Sequence, residues 1–236
     1  MNDSITIFTD GAAKGNPGKG GYGVVILREQ EVTELGGFKE RTTNNEMELK
    51  AVIEALKAVT DSTQTVHIFT DSKYVVEGAT GWVFGWLKNG WQTKAGSDVL
   101  NKELWQELLP LLNTVKIEWH KVPGHVGITG NERADTIASD FAQHGTFALY
   151  SGPVSGYGYD ISDTSYDEEK ANERSAARKR SAQKAYSYIS MVDGVVKTHQ
   201  TWSECEKRVK GKKGTRFKKS LDAKNEKEII SDFSGQ

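Results

Sequence analysis

Four acidic residues stand at places where the patterning of the chain gives them more than a surface role. Asp10 closes the apolar-rich run Ile5 to Thr9, and Asp71 closes a β-branched run, Thr65 to Thr70. Glu48 falls in a helical stretch on the turn after Asn44-Asn45, and Asp135 falls in the first turns of another, Asn131 to Gln143. Sites in open α/β sheets gather outside strand ends. Two strand-end acids on neighbouring strands, joined by acids from two packed helices, would form one cluster. Such a cluster is costly when empty, because like charges at close range force at least one carboxyl to keep its proton. Divalent cations remove that cost, and an all-oxygen donor set suits Mg²⁺. Two such ions about 3.5–4 Å apart can activate a water and stabilise the leaving oxygen of a phosphodiester. Taken singly, a strand-end Asp is usually a turn residue or helix cap, so only the set carries chemistry.

The elements that must position these acids follow from period and punctuation. Gly11 to Gly21 reads as a loop by its Gly/Pro content. Tyr22 to Leu27 reads as a strand, and Val32 to Phe38 as a third after a tight turn. From Asn44 the pattern turns helical, with Met47, Ala51, Ile53, Ala55 and Leu56 as the apolar face. After the strand Thr65 to Thr70, one short helix is expected from Asp71 to Gly78. A longer helix is expected from Asp98 to Leu112, with Leu100, Leu104, Leu108, Leu111 and Leu112 at its repeat. Val115 to Val122 alternates as a strand, Pro123 to Gly130 is a glycine-bearing loop, and Asn131 is expected to cap the last helix, with Glu132 in its first turn. The order β-β-β-α-β-α-α-β-α predicts an α/β fold, a mixed sheet with helices on its faces.

Composition narrows the class. The 236 residues are 36% apolar and 27% charged, as in globular proteins with an ordinary core. The single cysteine, Cys205, excludes an internal disulfide and fits a reducing compartment. No run approaches the ~18 apolar residues of a membrane helix, and Met-Asn-Asp-Ser leads straight into a strand pattern without a basic or hydrophobic leader. A cytoplasmic protein without membrane partners is the expectation. Charge is uneven: residues 1–150 hold 14 Lys+Arg against 19 Asp+Glu, and residues 171–236 hold 16 against eight. A basic tail behind an acidic body points to a polyanionic partner.

The strings around the acids are more specific than the acids. FTDGAAKGNPGKGGYGVV, TTNNEMELKAVIEAL, IFTDSKYV and VPGHVGITGNERADTIA resemble, in order and spacing, the four motifs of type 1 ribonuclease H, and cover residues 4 to about 144. The resemblance implies a five-stranded mixed sheet flanked by helices, and hydrolysis of the RNA strand of RNA–DNA hybrids to 3′-hydroxyl and 5′-phosphate ends. It implies that Asp10, Glu48, Asp71 and Asp135 hold two Mg²⁺ ions, with Mn²⁺ as a possible substitute. His125 resembles the family's mobile histidine, which assists proton transfer and product departure. Asn16 and Asn44 match positions that read RNA 2′-hydroxyls, the group that distinguishes RNA from DNA. Arg41, Thr43 and Asn101 match a pocket for a DNA phosphate, which a guanidinium, a hydroxyl and an amide suit chemically. In bacterial relatives the segment after the fourth strand is crowded with Lys and Arg. Here it keeps Trp82, Trp86 and Trp91 but only Lys88, Lys94 and Lys102. The Trp side chains serve either as core or, Trp82 foremost, as a surface toward DNA sugars. Phosphate neutralisation supplies much of nucleic-acid affinity, so this segment should grip weakly.

The tail is a candidate replacement. Ser151 to Lys170 is rich in Gly, Ser, Tyr and Asp without periodicity and reads as a flexible linker, with Glu168 to Lys184 as a charged, alanine-rich helical extension. The string from Tyr186 to Ser220, with Thr-Trp-Ser-Glu-Cys and Gly-Thr-Arg-Phe-Lys-Lys, is similar to the small hybrid-binding domain of many eukaryotic ribonucleases H and to viroplasmin-like modules. By that resemblance Tyr188, Trp202 and Phe217 face the DNA strand or form the small core, and Lys218 and Lys219 meet phosphates. Aromatics interleaved with lysines are what a nucleic-acid surface needs. The expected organisation is therefore a catalytic domain over 1–148, a linker over 149–184 and a small α+β hybrid-binding module over 185–236, acting as a monomer. Two rivals stay open: a catalytically silent hybrid-binding protein, and a DNA-cutting nuclease of the same superfamily.

Overall fold

The computed structural model describes residues 4–124, 127–165 and 183–234. The chain divides into two compact units, Met1–Ala171 and Asn172–Gln236. The first is built on a six-stranded mixed sheet. Strands β1 (Ser4–Gly15), β2 (Gly18–Arg28) and β3 (Glu31–Thr42) form an antiparallel meander, and β4 (Thr65–Thr70) and β5 (Ile117–Lys121) add in parallel beyond β1. A short strand β6 (Ser151–Pro153) pairs antiparallel with β3, giving the order β5-β4-β1-β2-β3-β6. The helices are α1 (Asn44–Lys57), α2 (Lys73–Glu77), α3 (Val83–Lys88), α4 (Lys102–Leu111) and α5 (Thr129–His144), with a π turn, Gly78–Trp82, joining α2 to α3.

Strand alternation divides the core in two. Ile5, Ile7, Val24, Ile26, Val66 and Ile68 face one side, where α1 and the fully buried Trp105 of α4 cover them. Phe8, Val25, Val32 and Phe69 face the other, against Ile137 and Phe141 of α5. The mixed sheet flanked by helices is as expected; several details differ. Gly11 to Gly21 is mostly strand, not loop, because its glycines serve close packing. A Cβ on Gly11 would lie 2.2 Å from the Glu48 backbone nitrogen in α1, and one on Gly21 would lie 2.5 Å from the Ala138 carbonyl oxygen in α5. The helix expected from Asp98 starts only at Lys102, since Asn101 sits in the left-handed region at φ 58 and ends any helical run before it. Leu100 is consequently 71% exposed, and Trp105 and Leu108 do the packing. The helix α5 begins at Thr129 behind Ile128, so Asn131 is not its cap but a buried first-turn residue.

The largest difference concerns residues 149–165, expected as the start of a linker. They fold onto the sheet: β6 extends it beyond β3, and Tyr157 and Ile161 are buried against the α5 side. A polar clasp holds them. Glu34, on β3 with a fully buried side chain, receives Arg133 Nε at 2.6 Å and Nη2 at 3.0 Å, the Tyr157 hydroxyl at 2.6 Å and the Tyr150 amide at 2.9 Å. Most of the stretch expected as a helical extension, from Glu168 on, lies outside the described residues.

The second unit is a three-stranded antiparallel sheet in the order β8-β7-β9, from β7 (Ser187–Val192), β8 (Val195–His199) and β9 (Arg216–Ser220). Asp193-Gly194 turns the β7–β8 hairpin with both residues at positive φ, 52° and 76°, the geometry whose twist matches paired strands. Helix α6 (Trp202–Val209) opens on a capping box between Thr201 and Glu204. Helix α7 (Ala223–Ser234) packs Ile229 and Phe233 on Ile189. Cys205 is buried.

Candidate active site

Parallel register brings two of the acids side by side. Phe8 of β1 pairs with Phe69 of β4, so Asp10 and Asp71 occupy equivalent positions two residues further on. Asp10 lies within β1, which continues to Gly15, and not at its end. Glu48 comes from α1, whose start is fixed by a capping box: the Glu46 amide donates to Thr43 Oγ1, and the Thr43 amide donates back to the Glu46 carboxylate at 2.8 Å. The glycine at position 11 lets α1 press against β1 at Glu48 itself. Oxygens of Asp10, Glu48 and Asp71 consequently lie within 4.8 Å of one another. Asp135, on α5, lies close enough to Asp10 for its charge to raise the Asp10 carboxyl. The four expected acids therefore meet.

Asp10 and Glu48 are buried. Burial first, then the charges of Asp71 and Asp135, push the Asp10 carboxyl well above the usual carboxylate range, against a 2.8 Å hydrogen bond from the Gly11 amide. Burial and then the charges of Asp10 and Asp71 raise Glu48 in the same way, against a hydrogen bond with Ser72, the cap of α2. Two buried carboxyls that resist ionisation, in an oxygen-only donor set, make a pocket fitted to a divalent cation. His125 lies outside the described residues.

The other expected contacts are placed as follows. Asn16 sits in the β1–β2 turn, where its Oδ1 accepts from the Asn44 amide at 3.3 Å. Asn44 in turn accepts from the Ala13 amide at 2.8 Å, so the two asparagines are adjoining. Arg41 is exposed near the end of β3, and Thr43 caps α1 two residues later. Asn101 donates to the Tyr74 hydroxyl at 3.1 Å, which also receives Trp105 Nε1 at 3.0 Å. The tryptophans divide: Trp86 packs on the core, whereas Trp82 is 40% exposed and meets Tyr74 and Trp86 at 5.9 and 5.8 Å.

In the second unit, Tyr188, Trp202 and Phe217 form a continuous ring cluster, with centroids 5.6 and 5.4 Å apart, and Phe217 is 52% exposed. Strand alternation places Tyr188, Phe217 and Lys219 on one face of the sheet and Lys218 on the other, beside the α7 packing. The two lysines expected to act together thus point apart, and the Lys219 ammonium donates to the Gln183 carbonyl at 2.8 Å.

Sequence reasoning missed the Glu34–Arg133 pair. Although burial opposes ionisation, hydrogen bonds from Arg133, Tyr157 and the Tyr150 amide hold Glu34 below the usual carboxylate range. Arg133 lies two residues before Asp135, so the clasp anchors the first turns of α5, which present that acid. Its signal was an acid at an inward strand position, unreadable without the partner 99 residues away.

The ribonuclease H family model matches residues 2–143. Ribonuclease H of a Bradyrhizobium species is 51% identical over 136 residues, 58% of this chain and 88% of its own length. Ribonuclease H of Thermosynechococcus vestitus is 49% identical over 156 residues, 65% of this chain and 98% of its own length. The crystal structure of LC9-RNase H1, a type 1 RNase H with the type 2 active-site motif, is similar with a TM-score of 0.56 and 33% identity, covering 75% of this chain and 84% of its own.

Proposed function

The chain belongs to the ribonuclease H family, and from that premise we propose that its active centre is the pocket of Asp10, Glu48, Asp71 and Asp135, holding two Mg²⁺ ions. It is a ribonuclease H-type enzyme acting on RNA–DNA hybrids. The observation that carries the site assignment is the meeting of Asp10, Glu48 and Asp71 within 4.8 Å, two of them buried and resisting ionisation. When bound, the cations supply an activated water and stabilise the leaving 3′ oxygen, and Mn²⁺ is the natural alternative occupant. Asp10 and Asp71 bind from the sheet, Glu48 and Asp135 from the helices. His125 assists proton transfer and product departure. Asn16 and Asn44 orient the RNA strand through its 2′-hydroxyls, and Arg41, Thr43 and Asn101 hold a DNA phosphate. Trp82, exposed beside Tyr74, offers an apolar surface to the DNA sugars.

The second unit is a hybrid-binding module, with Tyr188, Trp202 and Phe217 as its stacking surface and Lys219, on the same face of the sheet, as a phosphate contact; Lys218, on the opposite face, is not part of that surface. The exposed ring cluster supports this reading. The catalytic unit takes in the chain as far as Ile161, whose side chain is buried in its core, and the module includes the strands and helices from Ser187 onward. None of the described helices is long and apolar enough to cross a membrane.

The test compares wild type with Asp71→Asn on a labelled hybrid, a DNA duplex and an RNA duplex, each with Mg²⁺. Cleavage of the hybrid RNA alone, lost in the variant, is the expected result. Binding without cleavage by the wild type, or cutting of the DNA duplex, overturns the reading.

A further inference from the structure

A second group of metal-competent side chains lies on the free edge of the sheet, away from the acid pocket. Among the described strands β5 is at the edge of the sheet and pairs with β4 alone. Their parallel register sets His67 opposite Glu118 and Phe69 opposite His120. Residues two apart on a strand share a face, so all four side chains project to the same side. His67 Nδ1 lies 2.9 Å from His120 Nε2 and 3.4 Å from Glu118 Oε2. One ligand atom from each of the three residues falls within 4.8 Å of the others, and all three side chains are partly buried. Phe69 stacks on the His120 ring at 4.5 Å and 11°, which fixes the plane of that imidazole. Lys116 holds Glu118 Oε1 at 3.2 Å and leaves Oε2 toward the histidines.

A single proton can serve one nitrogen pair, whereas a cation can serve all three lone pairs. A tetrahedral site with Zn–N bonds of ~2.0–2.1 Å has nitrogen atoms about 3.3–3.4 Å apart. The His67–Glu118 spacing already matches, and the two rings need to part by only a few tenths of an ångström. Two imidazoles and one carboxylate form the donor set of an open zinc site, with the fourth position left to water. Imidazole selects borderline ions over Mg²⁺, in contrast to the oxygen-only acid pocket. Of the three, His120 stands nearest the acid pocket: it is level with Phe69, two residues before Asp71, or about 7 Å along the strand at ~3.3 Å per residue, while His67 and Glu118 lie two residues further off.

We propose that His67, Glu118 and His120 form a binding site for one borderline divalent transition-metal ion, Zn²⁺ first, which braces β4 against β5 independently of the catalytic ions. The experiment titrates the full chain with ZnCl₂ by calorimetry, in excess Mg²⁺ to keep the acid pocket filled. Wild type, Glu118→Gln, Cys205→Ala and the double variant His67→Gln/His120→Gln are compared, and Co²⁺ absorption reports the coordination. Wild type and Cys205→Ala should bind one more equivalent of Zn²⁺ than the double variant and show a tetrahedral Co²⁺ spectrum. Glu118→Gln should bind at least ~10-fold more weakly. Hybrid cleavage in Mg²⁺ alone should be unchanged in the double variant, which also establishes that it is folded. Equal Zn²⁺ stoichiometry and affinity in wild type and double variant, or no Zn²⁺ uptake by the wild type, overturns the proposal.

Discussion

Neutralising Asp10 should stabilise the metal-free protein. Its oxygens lie within 4.8 Å of those of Glu48 and Asp71. Two full charges 4.8 Å apart repel by ~3.5 kcal/mol at an effective dielectric of about 20. Asp10→Asn removes its terms with Glu48, Asp71 and Asp135 together and keeps a side-chain oxygen for the Gly11 amide. The wild type escapes part of the cost by retaining protons on Asp10 and Glu48, so the expected gain is about 1–3 kcal/mol, a rise in Tm on the order of 5 °C. Both carboxyls are raised in the folded state, so folding retains protons that the unfolded chain gives up. Below an unfolded pKa of ~3.9–4.3 both states are protonated and the variant gains nothing. As pH rises through that value toward the raised folded values, the wild type loses stability, and the gap to the variant widens, then levels off. Thermal unfolding in EDTA across that range measures the gap. Saturating Mg²⁺ should close or invert it, since the ion stabilises only the site that holds it. An Asp10→Asn protein that is folded yet melts at or below the wild type throughout would refute the electrostatic argument.

Other perturbations test the remaining parts. Arg133→Ala leaves Glu34 buried without its guanidinium and should cost about 3–5 kcal/mol, read by thermal unfolding, with reduced cleavage through displacement of Asp135. Because Glu34 is held below its ordinary value, the clasp contributes stability present above pH ~4.3 and lost as pH falls through the lowered value; Glu34→Gln should flatten that part of the stability profile. Ending the chain after residue 165 should preserve Mg²⁺-dependent cleavage and weaken hybrid binding, measured by salt titration, whereas ending it at 148 should also destabilise the catalytic unit. Trp202→Ala should weaken binding by about 1–3 kcal/mol with little change in salt slope, whereas Lys219→Ala should lower that slope by about one and Lys218→Ala should leave it unchanged.

The grouping of Asp10, Glu48 and Asp71 was legible because motif order marks the carboxylates, although Asp10 stands inside its strand and not at its end. What escaped has physical reasons. Glycines signal loops and close helix approach alike, and at Gly11 and Gly21 only the neighbouring helix backbone decides which. Residues 149–165 show no hydrophobic period because tyrosine rings in tilted contact and one buried carboxylate hold them in place of an amphipathic face. The separation of Lys218 from Lys219 follows from strand alternation, hidden until their string is known to be extended. The His67, Glu118 and His120 grouping spans over fifty residues and emerges only from the β4–β5 register.

The pairing of Phe8 with Phe69 has a further consequence. Neighbouring strands keep a spacing of ~4.8 Å through main-chain hydrogen bonds, so the gap between Asp10 and Asp71 is inherited from the backbone ladder and not from side-chain fit. Exchanges among apolar residues beneath the sheet should leave that gap intact across divergent descendants. A single inserted residue in β4 would instead turn Asp71 to the opposite side of the sheet. The lineage can drift in composition far more freely than in strand length.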